Sequence, residues 1–205
     1  METYSGTTEE KIIQATFNIL EKEGITGATT KKIAEKANVS ELTVFRKFKS
    51  KQNLIDASKK YYCEDLIEKL EKIFEFSEET SVEDYLKNCF DKVVHLTDQE
   101  LNILKISIEE VRGIPAEDRL FLKISEPVIK KLNEFFSLKI EQNEIRNITP
   151  EILSLTLFSI MFEYIILRKV YGKQLKYSVN NYSKGFTDAL LNGIKSNETT
   201  PQKED

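Results

Sequence analysis

Residues 30–48 read TKKIAEKANVSELTVFRKF and contain two short helical patterns separated by one tight turn. The apolar residues at helical spacing are Ile33, Ala34 and Ala37 in the first pattern and Val44 and Phe48 in the second. Asn38 lies between the patterns and can adopt the left-handed conformation that a tight turn needs. Two short helices with so brief a connection predict a helix-turn-helix unit with nearly perpendicular helices.

Polar residues that can cap helices surround this segment. The predicted N-terminal caps are Thr7, in a T-x-x-E capping box with Glu10, and then Thr30, Ser40 and Ser50. We expect Gly24 to end the first helix, and a long fourth helix to start at Lys51. The helix-turn-helix would therefore be the second and third helices of a compact N-terminal head.

The charge of the chain is divided unevenly along its length. The net charge is −4, but residues 26–60 carry nine Lys or Arg against three acids, a local charge of +6. Residues 61–205 carry 19 basic and 26 acidic side chains, a local charge of −7. A basic segment on an acidic body is typical of a protein that meets phosphate with one face. Chance clustering of surface lysines is the alternative.

The second helix of a helix-turn-helix can enter the major groove of DNA. Arginine can pair with guanine through two hydrogen bonds, threonine can contact a base, and helix N-termini suit phosphates. The predicted DNA-contacting residues are Thr30, Lys31, Ser40, Glu41, Leu42, Thr43, Phe45, Arg46, Lys47 and Lys51. Within this set, Phe45 could pack or contact DNA, and Glu41 fits better as a residue that starts the helix.

The run from Thr8 to Ile55 resembles the N-terminal domain of TetR-family repressors over about 48 residues. The matching positions are Thr29-Thr30, Ile33-Ala34, Ala37-x-Val39-Ser40, Thr43-Val44-Phe45, Phe48 and Ser50-Lys51. Two positions depart from the usual pattern. Leu42 stands where the family has a small residue, and Phe45 stands where it commonly has tyrosine. The operator sequence therefore does not follow from the resemblance.

The rest of the chain is expected to be helical, because it contains few glycines and prolines and is rich in Lys, Glu, Leu and Ile. Helices are predicted over 51–76, 81–95, 98–111, 116–141, 150–172 and 178–194, with a turn at Gly113–Pro115 and a kink or break at Pro127. We expect an all-α protein. Its predicted parts are a head (1–50), a helical effector-binding and dimerisation domain (51–196) and a disordered tail (197–205).

The helix predicted over 150–172 is apolar nearly all round, so it should lie in the centre of the domain or against a partner chain. The resemblance implies a homodimer through the last two helices. Glu163, Arg168 and Lys169 interrupt the apolar run, and we predict no membrane span and no signal peptide. With only two cysteines and no disulfide framework, a cytoplasmic location is expected.

The resemblance also implies an effector cavity among the middle helices. The candidate lining residues are Tyr85, Cys89, Phe90, Ile108, Arg112, Phe121, Phe158 and Phe162. The 12 Phe and 8 Tyr favour an apolar or aromatic effector, although these side chains could simply fill the core. The single histidine, His95, fits a helix C-terminus, and no catalytic or metal-binding motif occurs. We predict no enzyme, no cofactor and no metal site.

These patterns together predict a ligand-responsive transcriptional regulator, in the form of a repressor. It would bind operator DNA as a homodimer and be released when a small molecule binds the C-terminal domain. The alternative is a helical module that binds DNA or protein without small-molecule regulation. A sequence preference in DNA binding would separate the two.

Overall fold

The computed structural model describes residues 6–109, 119–174 and 176–193, and every regular element in these ranges is helical. The helices are α1 (Thr8–Gly27), α2 (Thr30–Ala37), α3 (Glu41–Phe48), α4 (Lys51–Ile73), α5 (Val82–Val94), α6 (Asp98–Glu109), α7 (Leu120–Glu141), α8 (Pro150–Ile165) and α9 (Val179–Asn192). A π-helical segment, Ile166–Val170, extends α8. The predicted all-α class is confirmed. The predicted turn at Gly113–Pro115 and the tail lie outside the described residues.

The ends of α1 and α2 show which predicted caps form. Thr7 and Glu10 make the predicted capping box, with each side chain accepting from the backbone N–H of the other. Gly24 interrupts α1 as predicted, since its backbone is not helical (φ 66°) and makes a kink, but a second helical stretch continues to Gly27. The cap of α2 is Thr29 and not Thr30, because Thr30 already has helical geometry. The Thr30 hydroxyl is therefore not used as a cap and can make another contact.

The head is built around a core shared by α1, α2, α3 and the first half of α4. Phe17 of α1 stacks on Tyr62 of α4, with their ring centroids 3.8 Å apart. The Ser58 hydroxyl of α4 donates to the carbonyl of Ile13, at 3.1 Å. The first half of α4 is therefore part of the head, although the helix continues into the body.

The course of α4 differs from the prediction in two details. The helix ends at Ile73 and not at Phe76, and Phe74 follows as its C-terminal cap. The apolar spacing predicts one helix face that contains Leu54, Tyr61, Leu66, Leu70 and Phe74, but Tyr61 is 39% exposed while Tyr62 is buried. Adjacent residues point about 100° apart around a helix, so two consecutive tyrosines cannot share one face.

In the body, α5, α6 and α7 pack against α4, while α8 packs against α7 and α9 packs against α5. Tyr85 of α5 stacks on Phe135 of α7 at 3.7 Å and donates its hydroxyl proton to the carbonyl of Phe74. Lys139 at the end of α7 is completely buried. Its ammonium donates to the Glu78 carbonyl, the Gln142 side chain and the Glu144 carboxylate, at 2.7–2.9 Å. The loop after α4 is thereby tied to the end of α7.

Pro127 does not divide the predicted segment 116–141, since α7 continues through it without a break. The buried residues Ile124, Val128 and Leu132 lie before and after the proline on one packed face. Their packing compensates for the one backbone hydrogen bond that proline removes. At α8 the N-cap residue Thr149 makes no side-chain cap hydrogen bond, and Pro150 fills the first helical position.

One described helical stretch, Pro150–Arg168, is long and apolar enough to cross a membrane by length and composition alone, with a mean hydropathy of 1.6. The sequence predicts no membrane span here, because Glu163, Arg168 and Lys169 interrupt the apolar run. The core helix of a soluble protein passes the same test, so the finding is weak evidence for a span. Only 33% of the stretch is buried within this chain, and Ile152 and Leu155 are 59% and 51% exposed. This helix therefore presents an apolar surface.

Candidate nucleic-acid interface

The recognition helix α3 turns one face to the core and the opposite face to solvent. Val44 and Phe48 are buried against the head. On the opposite side, Leu42 is 56% exposed and Phe45 is 60% exposed, with Arg46 beside them. From sequence, Phe45 could either pack in the core of the head or contact DNA. The structure leaves its ring available for contact.

The N-termini of α2 and α3 are joined by polar contacts. The Thr30 hydroxyl donates to the Glu41 carboxylate, at 3.1 Å. The Ser40 side chain caps α3 by accepting from the Thr43 backbone N–H at 3.1 Å, and the two hydroxyls lie 2.8 Å apart. Four predicted contact residues therefore form one cluster. Glu41 is an anchor between the two helices, in agreement with its assignment as a helix-start residue.

The turn between the two helices depends on Asn38. Its backbone is left-handed (φ 55°, ψ 49°), as the sequence predicted. The next N–H, of Val39, donates to the carbonyl of Ala34 at 2.9 Å, which closes the C-terminus of α2. This closure fixes the angle at which α3 leaves α2.

The predicted cationic contacts divide into engaged and available groups. Lys47 donates to the Glu9 carboxylate of α1 at 3.2 Å, and Lys51 donates to the Ile25 carbonyl at 3.0 Å. Lys31 and Arg46 are exposed, and neither has a hydrogen-bond or ion-pair partner among the residues that the structure describes. Lys31 and Arg46 can therefore bind phosphate or base without first breaking an internal contact.

Lys49 is an exposed cation that does not belong to the DNA-contacting residues predicted from sequence. It follows α3 as its C-terminal cap, is exposed, and has a positive φ of 66°. The signal was present, because position 49 falls on the same side of the helix as Leu42 and Arg46 at 100° per residue. Lys49 and Arg46 lie on the same side of α3 as the exposed Leu42.

The predicted effector residues on α5 lie in the packed interior. Tyr85, Cys89 and Phe90 are each at most 2% exposed. Burial raises the pKa of Cys89 to about 12, so its thiol is protonated at neutral pH. Phe90 packs with three aromatic rings of α8 and α9, those of Tyr164, Tyr182 and Phe186. These three α5 side chains occupy core positions in this structure.

Three other predicted effector residues form a separate aromatic cluster. Phe121 of α7 lies 5.0 Å from Phe162 of α8, and Phe158 stacks on Phe162 at 5.8 Å, measured between ring centroids. Ile108 of α6 is 36% exposed, and Arg112 lies outside the described residues. The structure therefore brings three of the eight residues together, and an effector site remains a prediction.

A groove of about 1520 Å³ runs between α4 and α7, and no predicted effector residue lines it. Its walls are dominated by Lys and Glu side chains, with Cys63 and Leu120 among the apolar exceptions. Lys59 is nearly buried here, and desolvation lowers its pKa although Asp56 acts in the opposite direction. Burial likewise raises the pKa of the Cys63 thiol. The groove was not foreseen because its lining residues have the composition of an ordinary solvated surface.

Within the described ranges, no group of three or more His, Cys, Asp or Glu side chains is placed to hold a metal ion. His95 follows α5 as its C-terminal cap, the position expected from sequence. Its Nδ1 lies 2.7 Å from the carbonyl oxygen of Asp91.

Comparison with known proteins agrees with this geometry. The family model "Bacterial regulatory proteins, tetR family" matches residues 12–58, which are most of α1, all of α2 and α3, and the start of α4. The uncharacterized HTH-type transcriptional regulator YvkB of Bacillus subtilis (strain 168) is 54% identical over 50 residues. That match covers 24% of this chain and 26% of YvkB. The chain therefore matches about a quarter of the length of this relative.

Solved structures extend the likeness to the body. A candidate TetR-family transcriptional regulator of Mesorhizobium loti has a TM-score of 0.74 at 19% identity, covering 93% of this chain and 98% of its own. The regulator FadR of Bacillus subtilis, solved with stearoyl-CoA, has a TM-score of 0.65 at 21% identity, covering 90% and 98%. At these identities the likeness is one of fold. Residues 12–58 therefore match the tetR family of bacterial regulatory proteins in sequence, and the chain as a whole shares the fold of these solved regulators.

Proposed function

We propose that this protein is a ligand-responsive repressor that binds operator DNA as a homodimer through α2 and α3. The observation that carries the proposal is the outward face of α3. There Arg46 is exposed and unpaired among the described residues, and so are Lys49 after α3 and Lys31 on α2. Guanidinium and ammonium groups that need not leave an internal partner are suited to guanine and phosphate.

Selection from a random duplex library, followed by binding to the selected duplex, tests the DNA-binding part of the proposal. Arg46→Ala should weaken binding by about five- to 140-fold, because a bidentate contact to guanine is worth about 1–3 kcal/mol. Lys87→Ala is the matched control, since it removes one positive charge from α5, outside the head. A failure to select any sequence would instead support the alternative, a helical module without operator specificity.

The proposed homodimer uses the exposed faces of α8 and α9. Ile152 and Leu155 project from α8, and Leu191 of α9 is 42% exposed. Adjacent exposed apolar side chains on long helices are expected to be covered by another chain. Two heads are needed because one recognition helix reads only a few base pairs.

We propose an apolar or aromatic small molecule as the effector, bound in the body and acting through α4. The fold neighbour FadR was solved with stearoyl-CoA, a ligand with a long apolar chain. The aromatic cluster of Phe121, Phe158 and Phe162 offers a surface for such a group. Stearoyl-CoA should release the protein from its operator if the effector is of this class, and coenzyme A alone is the control. Release by neither would remove acyl-CoA thioesters from the candidates.

The proposed division of labour assigns DNA binding to residues 1–50, effector binding and dimerisation to residues 51–196, and no folded role to residues 197–205. Under this proposal the protein works in the cytoplasm, where its operator is, and it catalyses no reaction. Limited proteolysis should release a stable fragment that contains α4–α9, because connecting segments are cleaved before packed helices.

A further inference from the structure

Leu42 and Phe45 form an exposed apolar pair on the recognition helix. Positions three apart on a helix are neighbours on its surface, about 5–6 Å between Cβ atoms. Both side chains are more than half exposed, and no ring contact involving Phe45 occurs among the described residues. Single exposed apolar residues need no explanation. Two adjacent exposed apolar residues on the eight-residue helix α3, which the proposed function places against DNA, do need an explanation.

The surroundings of the pair indicate what covers it. Arg46 lies one helical turn from Leu42, and Lys49 follows on the same side. Both cations are exposed and unpaired among the described residues. A protein partner with an apolar patch would need matching acids around that patch. The major groove of DNA provides phosphates on both sides and an apolar group, the 5-methyl of thymine, on its floor.

We propose that Leu42 and Phe45 read the 5-methyl group of thymine in the operator. The inference rests on the proposed function, since it requires α3 to lie in the major groove. It makes Leu42, a position where the family has a small residue, a determinant of sequence specificity in this protein. The absence of a phenolic hydroxyl at Phe45 favours the same outcome, because its ring can make only apolar contacts.

The arrangement also limits where the thymine lies. Leu42 and Arg46 are four residues apart, which is about 6 Å along the helix axis. Base pairs are stacked about 3.4 Å apart. A guanine contacted by Arg46 and a thymine contacted by Leu42 therefore fall within about two base pairs of each other.

Deoxyuridine substitution provides the test, because uracil differs from thymine only by lacking the 5-methyl group. The duplex is first selected from a random library with the full-length protein. Each thymine is then replaced in turn by deoxyuridine, and Kd is measured for the wild type, Leu42→Ala, Phe45→Ala and Leu42→Met. At one or more thymines the wild type should lose about three- to fivefold in affinity, the value of one buried methyl group.

The variants distinguish a direct contact from an indirect one. Leu42→Ala or Phe45→Ala should bind the thymine and uracil duplexes equally, whereas Leu42→Met should keep the wild-type loss because it keeps the apolar surface. The inference is overturned if every uracil duplex binds the wild type within twofold of the original, or if both alanine variants retain the full loss. A failure to select any sequence overturns the proposed function as well, so the two failures are distinguishable.

Discussion

Lys47, near the end of the recognition helix, donates a hydrogen bond to the Glu9 carboxylate in the first turn of α1, 3.2 Å away. The two residues are 38 positions apart, and their contact links α3 to α1. The pair is half exposed, so it contributes little to stability. If Lys47 contacts DNA as proposed, Glu9 competes with phosphate for its ammonium group.

Glu9→Gln should therefore strengthen binding to a selected duplex several-fold at low salt. The freed ammonium should add about one phosphate contact, which steepens the dependence of log K on log[salt] by about 0.9. Fluorescence anisotropy titrations at four salt concentrations measure both effects. Glu79→Gln makes the same change in net charge between α4 and α5. Equal effects of the two substitutions would show that overall charge, and not release of Lys47, is responsible.

Asn38 should be replaceable by glycine but not by alanine. The left-handed backbone at φ 55° costs a residue with a Cβ about 1–2 kcal/mol, and asparagine tolerates it better than alanine. We expect Asn38→Ala to lower the free energy of unfolding by about 1 kcal/mol, and Asn38→Gly to leave it nearly unchanged. Urea denaturation followed by circular dichroism compares the three proteins. A loss of the same size in both variants would mean that the asparagine side chain itself stabilises the turn.

Glu100 should make the body sensitive to acid. Burial raises its pKa, but hydrogen bonds from Lys69 and Thr97 outweigh burial, so the net pKa lies below the usual value. A carboxyl group with a lowered folded-state pKa stabilises the protein above its unfolded pKa, and this stability is lost as pH falls through the folded value.

Glu100→Gln should therefore cost about 1 kcal/mol at pH 7, after allowance for the partly exposed Lys69. The difference from wild type should shrink below about pH 4. Urea denaturation at both pH values measures it. A difference that stays constant with pH would contradict the assignment of the stabilising form to the ionised carboxylate.

Lys139 should stabilise the fold although it carries a buried charge. Lys139→Met keeps the apolar stem but leaves the Glu78 carbonyl and the Gln142 side chain without this donor. The expected loss is about 2 kcal/mol in the free energy of unfolding. Lys130→Met, at an exposed position of the same helix, is the control and should change little. A loss of stability in the control as large as that in Lys139→Met would show that the hydrogen bonds of the buried ammonium are not responsible.

Leu155→Glu should convert the proposed homodimer into a folded monomer. Leu155 is 51% exposed within one chain, so the substitution should not disturb the fold, but a carboxylate buried between two chains would be costly. Sedimentation gives the mass, and circular dichroism checks the helix content. Lys87→Glu on α5 is the control, with the wild-type mass expected. Dimers of Leu155→Glu as stable as those of the wild type would place the interface elsewhere.

The features predicted correctly from sequence are local ones. A serine before a helix, or an asparagine between two helices, acts within four residues, so Ser40, Ser50 and Asn38 were identifiable from their neighbours. Thr29 and Thr30 are both threonines, and sequence alone could not tell which would be the first helical residue. In the same way, sequence alone could not tell which of the consecutive residues Tyr61 and Tyr62 would be buried.

Effector-binding residues are harder to predict, because whether a side chain lines a pocket depends on contacts with residues distant in sequence. Tyr85 was a reasonable pocket candidate until its stacking on Phe135, 50 residues away, placed it in the core. An aromatic side chain on a helix has the same pattern whether it faces a ligand or another side chain. The partners of Lys47 and Lys51 are in α1, and no pattern in residues 30–48 could indicate them.

The 23-residue helix α4 connects the head to the body, so a rotation at one end would displace the other. Ser58 and Tyr62 fix the first half of the helix to α1, and Lys69 pairs its second half with Glu100 of α6. The helix is about 34 Å long at 1.5 Å per residue. A rotation of about 6° at its far end would displace the head by about 3.5 Å, close to the height of one base-pair step. A movement too small to disturb the core of the body could thus shift a recognition helix out of register with its site.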